Sequence, residues 1–308
     1  MRHPLGQARE KYAMINKLSG HYSLKVLCAT YEISRTAYYN WTKGGHKSVE
    51  KQREDDQLKE EIARIYRKSR KSYGRPRMVI ALKSLGYDCG KQRVRRLMRE
   101  KGLVGTQKKK FKPYTTDSDH GFRVAPNLLG NYGAVTQPNE VWVADITYIK
   151  IAEGWVYLAA ILDLYSRKIV GWSMSSRIDT SLVLMALKRA LKYRDAPKIH
   201  HSDRGSQYAA DAYQKELKAH GITVSMSRTG NPYDNATMES FFGTLKIEEV
   251  QGRVYRDAQE ARNAIFSYIE SFYNTTRIHT SIGGQSPQWY ENKFFSETNR
   301  KCMLAISN

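Results

Sequence analysis

The sequence has few cysteines, and their spacing fits no common metal-binding motif. The three among 308 residues are Cys28, Cys89 and Cys302. No C-x-x-C pair or Cys/His cluster is present, which excludes a zinc module and a disulfide framework as organising features. Unpaired thiols suit a reducing compartment, so we expect a cytoplasmic protein.

Long hydrophobic runs are also missing. No stretch approaches the roughly 20 consecutive apolar residues of a membrane-spanning helix. No charged-then-apolar signal peptide opens the chain. We therefore expect no membrane partner.

Negative charge is scarce. The chain has 51 Lys and Arg but 30 Asp and Glu residues, a net charge of +21. Residues 1–130 hold 30 of these basic and 12 of these acidic side chains, which leaves +18 there and +3 in the remainder. Such a surface attracts polyanions, nucleic acid first. The sequence thus indicates a basic docking half and a near-neutral half that is an enzyme or a regulatory core.

Two helix-turn-helix patterns occupy the basic half. The first predicts helices over residues 23–31 and 34–41, and the second predicts helices over residues 75–85 and 91–101. In such a motif the second helix enters the major groove and basic residues contact phosphates. A small helical bundle with a solvated basic face has the same pattern, but two units in tandem favour DNA binding. The candidate phosphate contacts on the last helix are Arg93, Arg95, Arg96 and Arg99.

Charged and irregular segments separate these units from the rest of the chain. Residues 52–72 predict one highly charged connecting helix, and residues 105–138 read as a basic linker with prolines and glycines. The linker contains Lys108, Lys109 and Lys110, which are candidate contacts to a DNA backbone. We divide the chain into a helix-turn-helix domain (1–48), a second helical unit (49–104), this linker, a catalytic core (139–292) and a tail (293–308).

From residue 141 the pattern changes to that of an α/β domain. Residues 141–149, 155–164 and 167–173 predict three strands with short links, which is typical of an antiparallel meander. There follow a helix over 182–193, a strand over 198–203, a helix over 213–220, a strand over 223–227 and a helix from about residue 235. This order favours a mixed sheet flanked by helices, as in the ribonuclease H-like fold.

Three carboxylates stand in unusual places in that core. Asp145 interrupts an apolar strand, where an ionised side chain is costly unless it is paired or metal-bound. Asp203 ends the fourth strand, where open α/β sheets place their sites. Glu239 lies in the first turn of the last helix, whose dipole favours an anion, and Lys246 follows on the same helix face.

Together these side chains form a minimal set for two Mg²⁺ or Mn²⁺ ions, which take hard oxygen ligands. Two such ions about 3.5–4 Å apart clamp the attacking and leaving oxygens of a phosphoryl displacement. Taken singly, Asp203 fits an ordinary turn and Glu239 a solvated helix. We read His200, His201 and His279 as structural or phosphate-contacting groups, Asp163 as a strand-end turn residue, and Asn235 as a helix cap that shapes the site.

Several separated motifs identify a resemblance. They are WVADITYI (142–149), DLYSRKIVGW (163–172), HSDRGSQY (201–208) and NPYDNA (231–236), followed by Glu239, Leu245, Lys246, Tyr273, Asn274, Arg277, His279 and Ser286-Pro287. The chain resembles insertion-sequence transposases of the "insertion sequence three" type, specifically the second-reading-frame protein with a core like that of retroviral integrases. The 35 residues between Asp203 and Glu239 match the family's pattern.

The resemblance implies a function for each part. Asp145, Asp203 and Glu239 are the expected catalytic, metal-binding triad, Lys246 contacts DNA near the cut end, and residues 74–104 resemble the family's helix-turn-helix segment. The expected partners are the element's terminal inverted repeats, target DNA, further copies of the chain in a synaptic complex, and an upstream-frame helix-turn-helix protein. The expected location is the bacterial cytoplasm, with the nucleoid.

Two other interpretations compete with the transposase. A ribonuclease H-like nuclease would cut without joining. A non-catalytic DNA-binding regulator would carry a decayed core, although the intact spacing of all three acids disfavours decay.

Overall fold

The computed structural model describes residues 4–45, 49–106, 124–228 and 235–306. It forms two compact units, Met1–Ala63 and Arg64–Asn308. The division falls inside one helix, α4 (Val49–Lys68). The domain boundaries predicted at 48/49 and 104/105 differ from this division and stay predictions.

The first unit is built around three helices, α1 (Pro4–Leu18), α2 (Leu24–Thr30) and α3 (Arg35–Gly45). Ser23 accepts the Val26 N–H at the start of α2, and Ser34 accepts the Ala37 N–H at the start of α3. Such caps satisfy amide groups that a helix leaves unpaired at its N-terminus. Ile15, Leu27, Cys28 and Tyr38 form the buried core. Helix α1 was not predicted from the sequence.

The second unit opens with the end of α4 and a helix pair, α5 (Arg75–Ser84) and α6 (Lys91–Glu100). Apolar residues at helical spacing hold the pair together, with Met78 and Leu82 on α5 and Val94 and Leu97 on α6 all fully buried. The predicted connecting helix and both helices of this pair are therefore present, with ends that differ by a few residues.

A five-stranded mixed sheet forms the centre of the second unit. Its strands are β1 (Val141–Ile151), β2 (Gly154–Asp163), β3 (Ile169–Ser175), β4 (Ile199–Ser202) and β5 (Thr223–Met226). Their order across the sheet is β3-β2-β1-β4-β5. The first three strands form the predicted antiparallel meander, whereas β4 and β5 run parallel to β1. All five strands end within two residues of their predicted limits, so the mixed-sheet prediction is confirmed.

Helices cover this sheet. In chain order they are α7 (Thr180–Tyr193), α8 (Ser206–Ala209), α9 (Asp211–Ala219), α10 (Ala236–Leu245), α11 (Ala258–Tyr268) and α12 (Pro287–Ile306). Trp142, Ala144 and Ile161 pack against α7 and α9. Helix α7 approaches β3 so closely that a Cβ on Gly171 would lie 2.4 Å from the carbonyl oxygen of Ala186. Helix α8 was not predicted from the sequence, and residues 293–306, expected as a tail, continue α12.

Candidate active site

The site lies where two parallel strands separate. β1 pairs with β4 from Val141 to Val143, and Asp145 follows two residues after that pairing ends. β4 ends at Ser202, so Asp203 is the first residue beyond it. Where two parallel strands separate, their carboxyl ends border a crevice, and open α/β sheets bind ligands in such crevices. Both carboxylates are thus brought to one crevice, as the sequence predicted.

Backbone amides fix the two aspartates. The Asp145 carboxylate accepts the Ile146 N–H at 2.7 Å, and the Asp203 carboxylate accepts the Gly205 N–H at 3.0 Å. A Cβ on Gly205 would lie 3.1 Å from that Asp203 oxygen and 3.0 Å from the side-chain oxygen of Gln207. The glycine therefore permits the tight turn that presents Asp203.

Helix α10 brings the third acid and a base. Glu239 lies in its first turn and is exposed. Lys246 begins the π-helical segment Lys246–Val250 that continues α10, and its ammonium lies 4.4 Å from the centre of the Tyr148 ring. Burial lowers the pKa of Lys246, and the charge of Asp145 opposes that shift. Lys246 is therefore close enough to Asp145 for their charges to interact.

Electrostatics connect the three acids. Burial raises the pKa of Asp145 well above its ordinary value, and the negative charges of Asp203 and Glu239 raise it further. The Ile146 N–H and the Lys246 charge oppose the shift without cancelling it. Unrelieved repulsion among carboxylates is what a bound divalent cation relieves.

The donor set therefore suits a hard divalent ion in its chemistry, although it is not closed around one. Within the described ranges, no group of three or more His, Cys, Asp or Glu side chains is gathered tightly enough to hold a metal ion. The three carboxylates would have to draw together to share ions.

Asn235 ties α10 to β1. Its side-chain amide donates a hydrogen bond to the carbonyl of Ala144, the residue before Asp145, at 3.2 Å. The sequence pattern predicted a helix cap at Asn235, but its side chain makes no capping hydrogen bond. The residue instead positions the helix that carries Glu239. Its buried carbonyl oxygen has no partner among the described residues.

Tyr208 is a site residue that sequence reasoning missed. Its side chain is 2% exposed, and its hydroxyl finds no hydrogen-bond partner in the part of the chain that the structure describes. Burial raises its pKa well above the ordinary value, followed by the charges of Tyr213, Asp145 and Asp203. The hydroxyl is thus an unused donor close to two of the three acids. Its place at the end of the HSDRGSQY motif was the available signal.

Known protein families match both the helical region and the core of this chain. Two models described as "Integrase core domain" match residues 135–232 and 220–287, and an "HTH-like domain" model matches residues 53–111. The chain is 37% identical over 285 residues to "Transposase InsF for insertion sequence IS3A" of Escherichia coli (strain K12), covering 92% of this chain and 99% of that protein. The chain belongs to the IS3 family of transposases. The predictions of a ribonuclease H-like core and of a polynucleotidyl transferase of the transposase and integrase class are confirmed.

Two further proteins are similar to this chain. It is 43% identical over 270 residues to "Insertion element IS600 uncharacterized 31 kDa protein" of Shigella sonnei, covering 87% of this chain and 98% of that protein. The magnesium-bound catalytic core of HTLV-2 integrase in its trimeric form is similar at 14% identity and a TM-score of 0.39, covering 50% of this chain and 97% of that core.

Apart from Lys246 beside the candidate site, the predicted DNA contacts of this transposase lie on α6 and on a segment outside the described residues. Arg95 and Arg99 of α6 are exposed, while Arg93 and Arg96 are partly buried. Arg96 also forms an ion pair with Glu100 at 2.8 Å. Lys108, Lys109 and Lys110 fall outside the described residues. The structure therefore places an exposed basic face on α6 at Arg95 and Arg99.

An ion-pair network joins the helix pair to the catalytic core, and no sequence pattern indicated it. Glu248 accepts two hydrogen bonds from Arg277, both at 2.8 Å, and also pairs with Arg77 of α5 at 3.3 Å. Glu249 pairs with Arg70. Both glutamates belong to the π-helical segment directly after α10, so the helix-turn-helix-like segment is anchored beside the candidate site.

The histidines and Asp163 have the structural surroundings expected of them. His201 hydrogen-bonds Ser225 at 2.8 Å and Ser227 at 3.0 Å, and His200 hydrogen-bonds Tyr213 at 3.0 Å. Burial lowers the pKa of His200 to about 3 and that of His279 to about 2, so both are neutral. Asp163 is buried at the end of β2 and accepts backbone N–H groups of the following turn.

No helix in the described part of this transposase is long and apolar enough to cross a membrane.

Proposed function

We propose that this transposase performs divalent-metal-dependent cleavage at the ends of its insertion sequence and transfers the released 3′-hydroxyl into DNA. The supporting observation is the mutual charge interaction of Asp145 with Asp203 and Glu239 at the crevice between β1 and β4. In a transposase with an integrase core, we infer that this carboxylate cluster binds the metal ions of the reaction.

Asp145, Asp203 and Glu239 are the proposed ligands of two Mg²⁺ or Mn²⁺ ions. When bound, such a pair supplies Lewis-acid stabilisation of the attacking and leaving oxygens of a phosphodiester. Water first attacks the phosphorus at the element end and displaces a 3′-hydroxyl. That hydroxyl then attacks the phosphorus of a second phosphodiester. Its 3′-oxygen forms the new P–O bond, and the bond between that phosphorus and the 3′-oxygen of the attacked strand breaks.

The chain's own residues orient the DNA and the acids. Lys246 neutralises a phosphate beside the crevice, and Asn235 holds the start of α10 against β1 so that Glu239 faces Asp145. Arg95 and Arg99 contact phosphates when α6 binds DNA, together with Arg93, Arg96 and the Lys108–Lys110 run. Catalysis then depends on positioning and electrostatics rather than on a covalent enzyme intermediate.

The proposed partners are the terminal inverted repeats and target DNA. Bringing two ends together requires more than one copy of the chain, so a homo-multimer is proposed for the synaptic complex. An upstream-frame helix-turn-helix protein is a further proposed partner for recognition of the ends. Because DNA is its proposed substrate, we expect the transposase to act at the nucleoid, in the bacterial cytoplasm.

A cleavage and joining assay tests the proposal. Labelled DNA carrying the element's own ends is incubated with Mg²⁺ and the full chain, with and without the upstream-frame protein. We expect cleaved and joined products from the wild type and none from Glu239→Gln. The matched control is Glu297→Gln, an exposed acid on α12, which should retain both activities.

Each other outcome has a defined meaning. Cleavage without joining would support the nuclease instead. Binding of the ends without any product, in the presence of the upstream-frame protein, would support the DNA-binding regulator. Equal products from wild type and Glu239→Gln would remove Glu239 from the mechanism.

A further inference from the structure

A half-exposed aromatic side chain stands next to the candidate active site. Trp155 is the second residue of β2 and is 47% exposed. Its ring contacts the Tyr148 ring edge-on, with centroids 4.9 Å apart. The two residues are diagonal neighbours across β1 and β2, since Tyr148 pairs with Tyr157 and Lys150 pairs with Trp155.

Positive charge flanks this aromatic pair on both sides. Lys246 lies over the Tyr148 ring at 4.4 Å, and its charge acts on Asp145. Lys150 is exposed directly opposite Trp155. The hairpin tip also bears Glu153, which leaves a net positive patch. Trp155 is thus connected to the acids through Tyr148 and Lys246.

An exposed tryptophan normally carries a cost, because its apolar surface stays in water. Bases of single-stranded nucleic acid stack on such rings in a sequence-tolerant way, next to cations that hold the backbone. The flanking Lys246 and Lys150 make nucleic acid a better match for this surface than an apolar protein partner.

From these contacts we propose that the exposed face of Trp155 stacks on an unpaired base of the DNA strand that enters the active site. This rests on the proposed function, because it takes DNA as the substrate. Lys150, the partner of Trp155, lies five residue steps after Asp145, or roughly 16 Å along β1. At about 3.4 Å per stacked nucleotide, the base lies roughly three to five nucleotides from the reacting phosphodiester.

The test uses a base whose fluorescence falls when it stacks. 2-Aminopurine is placed at successive positions in the single-stranded tail of a duplex of arbitrary sequence, and the full chain is added in metal-free buffer. We expect emission to fall at one or two adjacent tail positions. Trp155→Ala should restore that emission and weaken binding of the tailed duplex about 10-fold, whereas a fully paired duplex should bind equally to both proteins.

Two further variants separate stacking from packing. Trp155→Phe keeps an aromatic face and should retain most of the quenching. Trp155→Leu keeps apolar contact with Tyr148 but no π face, and should lose the quenching. Trp289→Ala is the matched control, because Trp289 is 48% exposed and has Lys293 near its ring at 5.7 Å. It should behave as wild type.

The results decide between clear alternatives. The inference is overturned if Trp155→Ala and Trp289→Ala behave alike, if Trp155→Leu quenches as well as wild type, or if binding of the paired duplex falls equally. Since the assay needs neither cleavage nor the element's sequence, a wild type that stacks the base but joins no DNA would reject the proposed function and keep this inference.

Discussion

At the scale of single residues, the ionised Asp145 side chain lowers the stability of the fold. Its carboxyl sits in a strand beside two other acids, which raise its pKa together with burial. A folded-state pKa above the unfolded value means that ionisation destabilises the fold. That destabilisation is absent below the unfolded pKa of about 4 and grows as pH rises towards the folded value.

Asp145→Asn should therefore raise the melting temperature at neutral pH in buffer with chelator, and the gain should vanish near pH 4. The same variant should also lose cleavage by at least about 10³-fold, which corresponds to about 4 kcal/mol of lost transition-state stabilisation. Thermal melts from pH 4 to 8, with Glu297→Gln as control, measure the first effect. A variant less stable than wild type at pH 7 would contradict the repulsion.

Asn235 acts through position rather than chemistry. Its hydrogen bond to the Ala144 carbonyl holds the first turn of α10 near Asp145. Asn235→Ala should cost only about 1 kcal/mol of unfolding free energy, yet reduce cleavage by roughly 10-fold or more because Glu239 moves. Asn263→Ala removes an exposed amide on α11 and serves as control. Cleavage equal to that of the control would show that the contact does not position α10.

At the scale of elements, the π-helical segment after α10 is the junction of the second unit. Burial works to lower the pKa of Arg277, but the hydrogen bonds and charge of Glu248 outweigh it and leave that pKa above the ordinary value. Both side chains are at most 5% exposed. Removing one partner of a buried pair strands the other charge.

Glu248→Gln should accordingly lower the free energy of unfolding by about 3–5 kcal/mol. Urea denaturation followed by circular dichroism measures this loss. Glu297→Gln breaks an exposed pair with Lys293 and should cost under about 1 kcal/mol. Similar losses of unfolding free energy in both variants would show that the buried pair of Glu248 and Arg277 does not stabilise the second unit.

The sequence predicted elements better than contacts. The five strands and the helices α7, α9 and α10 were predicted, because apolar spacing and turn residues are local signals. The Glu248 network and the burial of the Tyr208 hydroxyl depend on residues far apart in the chain, which no local pattern records, whereas the four-residue α8 is too short to show a helical spacing. The π-helical turn after α10 was likewise hidden, because its residues read as an ordinary helix.

At the scale of the whole molecule, binding to DNA depends on where the positive charge is exposed. Deleting residues 1–104 to test DNA binding would also remove Arg70 and Arg77, which pair with the core glutamates. Charge removal on the outer face of α6 avoids this damage. The exposed arginines there are Arg95 and Arg99.

Arg95→Ala combined with Arg99→Ala should weaken binding and reduce the slope of log affinity against log salt by about 2, roughly one for each phosphate that the protein no longer neutralises. Binding to the element ends is measured across a series of salt concentrations. The control removes the same charge from α9 through Lys215→Ala with Lys218→Ala. An unchanged slope in the α6 variant, or an equal change in the control, would show that Arg95 and Arg99 do not contact DNA phosphates.

Asp145, Asp203 and Glu239 are proposed to hold divalent metal jointly. The most direct measurement is Mn²⁺ binding to the full chain by calorimetry in the presence of end DNA, for wild type, Asp145→Asn, Asp203→Asn, Glu239→Gln and Glu297→Gln. We predict that each of the first three substitutions weakens binding at least about 10-fold and that Glu297→Gln leaves it unchanged. Wild-type affinity in any of the three would contradict a shared metal site.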